Sequence, residues 1–368
     1  MKALILTISA GGGHNSTARA VKRGLEQRGI TCEILDVFYY LSKLLGETVS
    51  KGYEVTIDLK SAYRTVYRQL EKRRSNSYTM SPTRLTSMAM AQKLRGYIDG
   101  FDPDVIVCTH IFPGIMIDAL KQLGETRARM VAILTDFDFH PYWEEALRFD
   151  YIVTACEYLN EKALKKGFRS DQILPIGIPI DPKFASLPGR DEARKALGLP
   201  SERPIALYMS GSMGYGNIEK SVRTIDSSSC DLTTVVICGR NEQAVKKLSR
   251  MKLKKDFVIL GFTSDVYKYM AAADFIITKP GGLTTSEALA SRLPIIIDNP
   301  IPGQEERNTE FLLNAGAAML VTETFSLDDA VHGVVDFPER RRLMRESIDL
   351  IRKPNSTSDL CDYISRMG

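Results

Sequence analysis

The stretch from Phe275 to Asp298 limits the fold more than any other part of this chain. An apolar run, Phe275–Thr278, leads into Pro280-Gly281-Gly282, a helical pattern begins at Leu283, and a second apolar run, Pro294–Ile297, follows. Two short apolar runs joined through glycines and a helix form a βαβ unit. Such a unit needs a parallel sheet with helices on both faces. The alternation recurs along the chain and predicts further strands at Ala3–Ile8, Glu33–Val37, Val105–Thr109, Val131–Thr135, Tyr151–Thr154 and Ile173–Ile176. Others are predicted at Ile205–Ser210, Thr234–Cys238, Phe257–Leu260 and Ala318–Val321. The rhythm breaks twice. Between Leu41 and Gly100 the pattern is helical, and 175–189 gathers Pro175, Gly177, Pro179, Pro182, Pro188 and Gly189 into a linker.

With 368 residues, two domains can each bury a core. The expected division is 1–175, 176–340 and a helical tail, 341–368, able to cross the junction. The expected architecture is α/β: two Rossmann-like doubly wound domains facing a cleft lined by the C-terminal ends of their strands. Six scattered cysteines with no C-x-x-C pair argue against zinc and a disulfide framework, and for a reducing cytoplasm. The N-terminal MKALILTISAGGGH is too short and glycine-broken for a signal sequence, and no apolar run is long enough to span a membrane.

Net charge is +4, but the segment 43–97 holds eleven Lys/Arg against four Asp/Glu, so the remainder is negative at −3. A basic helical stretch is often a solvated face. This one interleaves Tyr63, Tyr67, Leu70, Met80, Leu85, Met88 and Met90 with its cations. That mixture suits peripheral attachment to an anionic membrane surface. No nucleic-acid-binding module is present, and nucleic acid is not an expected partner.

Three glycine turns carry candidate chemistry. Gly11, Gly12 and Gly13 follow the first strand and set His14 at the start of a helix, either as a cap or as a general base. Gly211 and Ser212 follow the first strand of the second half, a turn open to phosphate or sugar or simply structural. At the third turn, Gly282, Leu283 and Thr284 offer N–H groups and a positive helix end to an anion. Glu287, expected in the first turn of that helix, can accept from ribose hydroxyls, and Gln304 and Glu305 from a sugar. Asp136-Phe137-Asp138 has a D-x-D form; it is read as acceptor-side polar chemistry with Asp136 at a strand mouth, and no metal is expected. His140 and the single tryptophan, Trp143, form either a sugar or lipid platform or a core cap.

Taken together, GGGHNSTARA, TDFDFHPYW, SGSMGYGN, GFTSDV and PGGLTTSEALASRLPIIIDNPIPGQE resemble the diacylglycerol glycosyltransferases. These are the monogalactosyldiacylglycerol synthases and processive diacylglycerol glucosyltransferases of glycosyltransferase family 28. The resemblance covers almost the whole chain. It implies a GT-B fold, a UDP-sugar donor on the C-terminal domain and a lipid acceptor on the N-terminal one. By the same resemblance, Glu287 holds the ribose, Gly282, Leu283 and Thr284 form the phosphate loop, and Ser212 belongs to the first donor loop. Phe262 and Thr263 lie at the uracil, Gln304 and Glu305 at the donor sugar, and His14 matches the histidine of the glycine loop. The expected activity is inverting transfer of a hexose to diacylglycerol at the cytoplasmic face of a membrane, without a cofactor, by His14 assisted by Asp136. A polyprenyl-linked acceptor for N-acetylglucosamine, and an epimerase or hydrolase on the same fold, remain alternatives.

Overall fold

The computed structural model describes residues 1–9, 12–43, 82–211 and 217–367. Gly11, Ser212 and most of the basic segment 43–97 lie outside them. Twelve strands form two parallel sheets of six. The first holds β1 (Lys2–Thr7), β2 (Thr31–Asp36), β3 (Val105–Cys108), β4 (Arg129–Ile133), β5 (Tyr151–Val153) and β6 (Ile173–Leu174). The second holds β7 (Ile205–Met209), β8 (Thr233–Ile237), β9 (Phe257–Leu260), β10 (Phe275–Thr278), β11 (Ile295–Ile297) and β12 (Ala318–Leu320). Most of these strands are near-continuous apolar runs, because helices cover both faces of a parallel sheet; β2, with exposed Thr31 and Glu33, is an exception at the sheet's edge. The chain forms two compact units, Met1–Pro182 with Pro302–Gln304 and Asn355–Gly368, and Lys183–Ile301 with Glu305–Pro354.

Strand order positions the chemistry. The first sheet runs β2-β1-β3-β4-β5-β6 and the second β12-β11-β10-β7-β8-β9. Succession reverses between β1 and β3 in one and between β10 and β7 in the other. At such a switch the two following helices leave on opposite faces, and the turns at the strands' C-terminal ends stay uncovered.

In the first unit the helix Gly13–Glu26 buries Ala18, Val21 and Leu25 against β1 and β3. Its next turn packs on the helix Ser356–Ser365, which adds Leu360, Cys361 and Ile364 to the same core. Ser356 and Thr357 donate to the Ile178 and Ile180 carbonyl oxygens at 2.9 and 2.5 Å. In the second unit, buried Asp274 accepts from Arg194 at 2.7 Å and from the Ile205 N–H at 2.8 Å, tying the helix Arg190–Leu197 to the start of β7.

Gly24 lets the two helices of the first unit touch, since a Cβ there would lie 2.6 Å from Cys361 Sγ. Gly24→Ala is therefore expected to destabilise this unit by about 1–3 kcal/mol. Unfolding followed by the fluorescence of Trp143, which is buried in that unit, measures it.

Candidate active site

At the first switch point, His14 opens the helix that follows β1. Its Nδ1 lies 2.7 Å from the Thr109 carbonyl oxygen at the end of β3, with the Thr135 hydroxyl 3.2 Å away. A carbonyl only accepts, so Nδ1 carries the hydrogen and Nε2 keeps a basic lone pair. The helix end is fixed by a one-way chain of donors. Thr109 Oγ1 donates to Thr7 Oγ1, Thr7 to Asn15 Oδ1, Asn15 Nδ2 to Ser9 Oγ, and Ser9 to Asp36 Oδ2, at 2.6–3.0 Å. Asp36 also accepts from the Tyr39 N–H at 3.2 Å and caps the short helix Val37–Leu41.

Two further histidines join His14. His110 and His140 each accept at Nδ1 from the N–H two residues on, Phe112 at 3.1 Å and Tyr142 at 3.3 Å, capping the helices that follow. The His14 and His110 ring centroids are 4.6 Å apart, edge to face. Burial holds all three below the ordinary histidine range: His14 despite its bond to the Thr109 carbonyl, His110 well below with His14 and His140 adding to the effect, His140 to about 4. All three are neutral at pH 7.

In the second unit the turns at the β7 and β10 ends flank the other switch point. Gly211 adopts φ +71, a left-handed turn that suits glycine. After β10, Gly281 precedes the helix Gly282–Ala290 with extended backbone and no side-chain cap, and the first intrahelical bond is Thr285 N–H to the Gly281 carbonyl. The N–H groups of Gly282, Leu283 and Thr284 thus begin the helix at its positive end. Asn308, fully buried on the helix Gln304–Asn314, donates to the Pro280 carbonyl at 2.9 Å and ties this turn to the segment after β11. At the end of β9, Phe262 is 68% exposed, with the Arg240 guanidinium 5.8 Å over its ring. An exposed aromatic face at the strand ends is a stacking surface for a planar base.

The sequence profile of the Monogalactosyldiacylglycerol (MGDG) synthase family matches residues 14–180, and that of Glycosyl transferases group 1 matches residues 189–347. The probable monogalactosyldiacylglycerol synthase 3, chloroplastic, of Oryza sativa subsp. japonica is 30% identical, over 99% of this chain and 74% of its own. A processive diacylglycerol beta-glucosyltransferase of Bacillus pumilus is 26% identical, over 99% of this chain and 94% of its own. The chain belongs to the family of monogalactosyldiacylglycerol synthases and processive diacylglycerol glucosyltransferases. It is a glycosyltransferase. Its two sheets have the GT-B fold. The crystal structure of MurG from Acinetobacter baumannii, 16% identical and covering 99% of both chains, superposes with a TM-score of 0.65.

The surroundings of the other expected site residues follow. Glu287 lies in the second turn of its helix, because the helix already begins at Gly282 and has no acid in its first turn. Asp138 is buried and paired with Lys162, and it accepts from the Phe139 N–H at 2.6 Å, so this half of the D-x-D motif is neutralised within the protein. Trp143 is a core residue: it is 3% exposed and packs edge-on against Phe149, its centroid 6.2 Å away. Glu305 turns back to accept from the Ile301 N–H at 2.6 Å, and Gln304, which groups with the first unit, donates to the Asp138 carbonyl at 2.9 Å. Thr263 accepts from the Asp265 N–H at 3.1 Å and shapes the turn after β9.

His110, Asn308 and Arg240 escaped the sequence reading. A histidine after each of two strands, His14 and His110, was the one available signal. Among the described residues, Cys230, His332 and Asp336 form the one group close enough to share an ion. Their own contacts account for it: Asp336 pairs with His332 and accepts from the Cys230 thiol at 3.7 Å, and burial together with that carboxylate pushes the thiol up to about 11.

Because the fold holds His140 at about 4 against an ordinary 6.5, the folded protein binds fewer protons than the unfolded chain between those values. Stability is then complete above pH 6.5 and is lost as pH falls toward 4, by up to about 3 kcal/mol from His140, with His14 and His110 acting in the same direction. Denaturant unfolding followed at Trp143 between pH 8 and 4 is expected to show this slope, and His140→Asn, which keeps a capping oxygen, to flatten it.

Proposed function

We propose that this glycosyltransferase moves a hexose from a UDP-sugar to the primary hydroxyl of diacylglycerol with inversion at the anomeric carbon. Family membership supports the reaction class. The observation that carries the mechanism is the His14 imidazole, held at Nδ1 by the Thr109 carbonyl so that its basic nitrogen is Nε2. In this reading Nε2 takes the acceptor's O–H proton as that oxygen attacks the anomeric carbon. The bond from that carbon to the β-phosphate oxygen breaks, and its electron pair leaves with UDP. A neutral His14 at pH 7 suits the task, since a protonated ring cannot accept. Asp136, two residues before the Lys162-paired Asp138, is the proposed assistant on the acceptor side.

The donor is assigned to the second unit. The amide groups of Gly282, Leu283 and Thr284 and the helix dipole stabilise charge building on the departing diphosphate. Gly211 and Ser212 complete the phosphate turn, and Glu287 accepts from the ribose hydroxyls. Phe262 stacks on the uracil with Thr263 shaping its turn, and Gln304 and Glu305 border the donor sugar. Gly11, Gly12 and Gly13 let the acceptor approach His14, beside His140.

Membrane attachment through the segment 43–97, at the cytoplasmic face, belongs to the same proposal. Within the part that is described, Arg95 is paired with Asp99 and Glu125, so the attraction rests on the remaining cations. No helix among the described residues is long and apolar enough to cross a membrane.

Incubation with radiolabelled UDP-glucose, UDP-galactose or UDP-N-acetylglucosamine and vesicles containing diacylglycerol is expected to yield labelled glycosyldiacylglycerol. Release of free sugar without lipid would favour a hydrolase, and labelling only of an added polyprenyl phosphate lipid would overturn the acceptor. His14→Ala is expected to lower kcat about 100- to 10,000-fold with UDP affinity retained. Glu287→Ala is expected to weaken UDP binding about 10- to 100-fold, read by calorimetry.

A further inference from the structure

His110 has two contacts that no single function of a capping residue explains. Its Nδ1 accepts from the Phe112 N–H at 3.1 Å and caps the helix Ile111–Gln122. Its ring meets His14 edge to face with centroids 4.6 Å apart, at the close end of the range for aromatic pairs. The other neighbour is the Phe112 ring, stacked at 5.3 Å and 23°. The His110 ring is therefore held by its cap bond and by a stacked face, and it forms a fixed wall beside His14.

His14 needs such a wall. An imidazole has two nearly equivalent ring orientations about χ2, and the flipped one would put a carbon where Nδ1 meets the Thr109 carbonyl. The bond to that carbonyl favours one orientation, and a rigid ring at 4.6 Å obstructs the swing to the other. A serine or asparagine caps a helix as well as histidine but has no ring, and a phenylalanine has the ring but accepts no hydrogen bond. Histidine supplies both.

We propose that His110 is a positioning residue for His14: its capped, immobile ring keeps the His14 imidazole turned with Nδ1 on the Thr109 carbonyl and Nε2 presented to the acceptor hydroxyl. This rests on the reading of His14 as the base. The titratable groups bearing on His110 are His14 and His140, both neutral, so the contact joins uncharged rings.

The test separates the two contacts. His110→Asn keeps the cap and removes the ring. It is expected to melt close to the parent protein, while kcat falls about 10- to 100-fold with KM for the UDP-sugar unchanged. Nitrogen NMR of 15N-histidine-labelled protein is expected to show His14 losing its single Nδ1–H form. His110→Phe restores the ring and is expected to recover most of that kcat despite a lower melting temperature. Parent-like kcat and His14 signals in His110→Asn would reduce His110 to a cap and overturn the proposal, as would a folded His110→Phe no more active than His110→Asn. The NMR readout does not depend on turnover. If His14→Ala kept full activity, the base assignment would fall, while the His14 signals in His110→Asn would still decide the ring contact.

Discussion

Where neighbouring parallel strands send their helices to opposite faces, the ends of those strands cannot be covered by either helix. Both sheets contain this arrangement once, between β1 and β3 and between β7 and β10. The polar chemistry proposed for the reaction is centred there. In the first sheet it is the His14 ring against the Thr109 carbonyl. In the second it is the glycine turn before Gly282 and the left-handed Gly211. Backbone N–H groups left unpaired at such a helix start are available to an anionic ligand.

Electrostatics distinguishes the two edges. The first gathers three histidines, each kept neutral by burial, and each fixed at Nδ1 by backbone: two accept from N–H groups and one faces a carbonyl. The second presents amide hydrogens at a positive helix end, which favours an anion. In the proposed reaction the first edge would take a proton from a neutral alcohol, and the second would receive the negative charge of a diphosphate. Three carboxylates near these edges are held by the protein itself: Asp138 by Lys162, Asp36 by Ser9 and the Tyr39 N–H, Glu305 by the Ile301 N–H.

Much of this was legible in the chain. All twelve strands coincide with predicted apolar runs to within two residues at their ends, because most are buried on both faces and carry few polar positions to blur them. The glycine turns announced the sheet edges for the same local reason. What escaped depends on long-range contact. Periodicity could not tell whether Trp143 faces outward, since its burial is decided by Phe149 and by the small Gly114 beside it. The pairing of Asp138 needs Lys162, which is distant in sequence. Glu287 was expected in the first turn, although even a helix opening at Leu283 makes it the fifth residue, past the roughly 3.6 residues of that turn. The contact of the His110 ring with His14 joins residues 96 positions apart, which no local pattern signals.

The helix Ser356–Ser365 covers the helix that opens the first unit, through Gly24 and Cys361, and it closes over the Ile178 and Ile180 carbonyls. The apolar face of the helix Gly13–Glu26 is thus shielded by residues some 330 positions later in the chain. The core of the first unit is therefore complete only once the helix Ser356–Ser365 has been made.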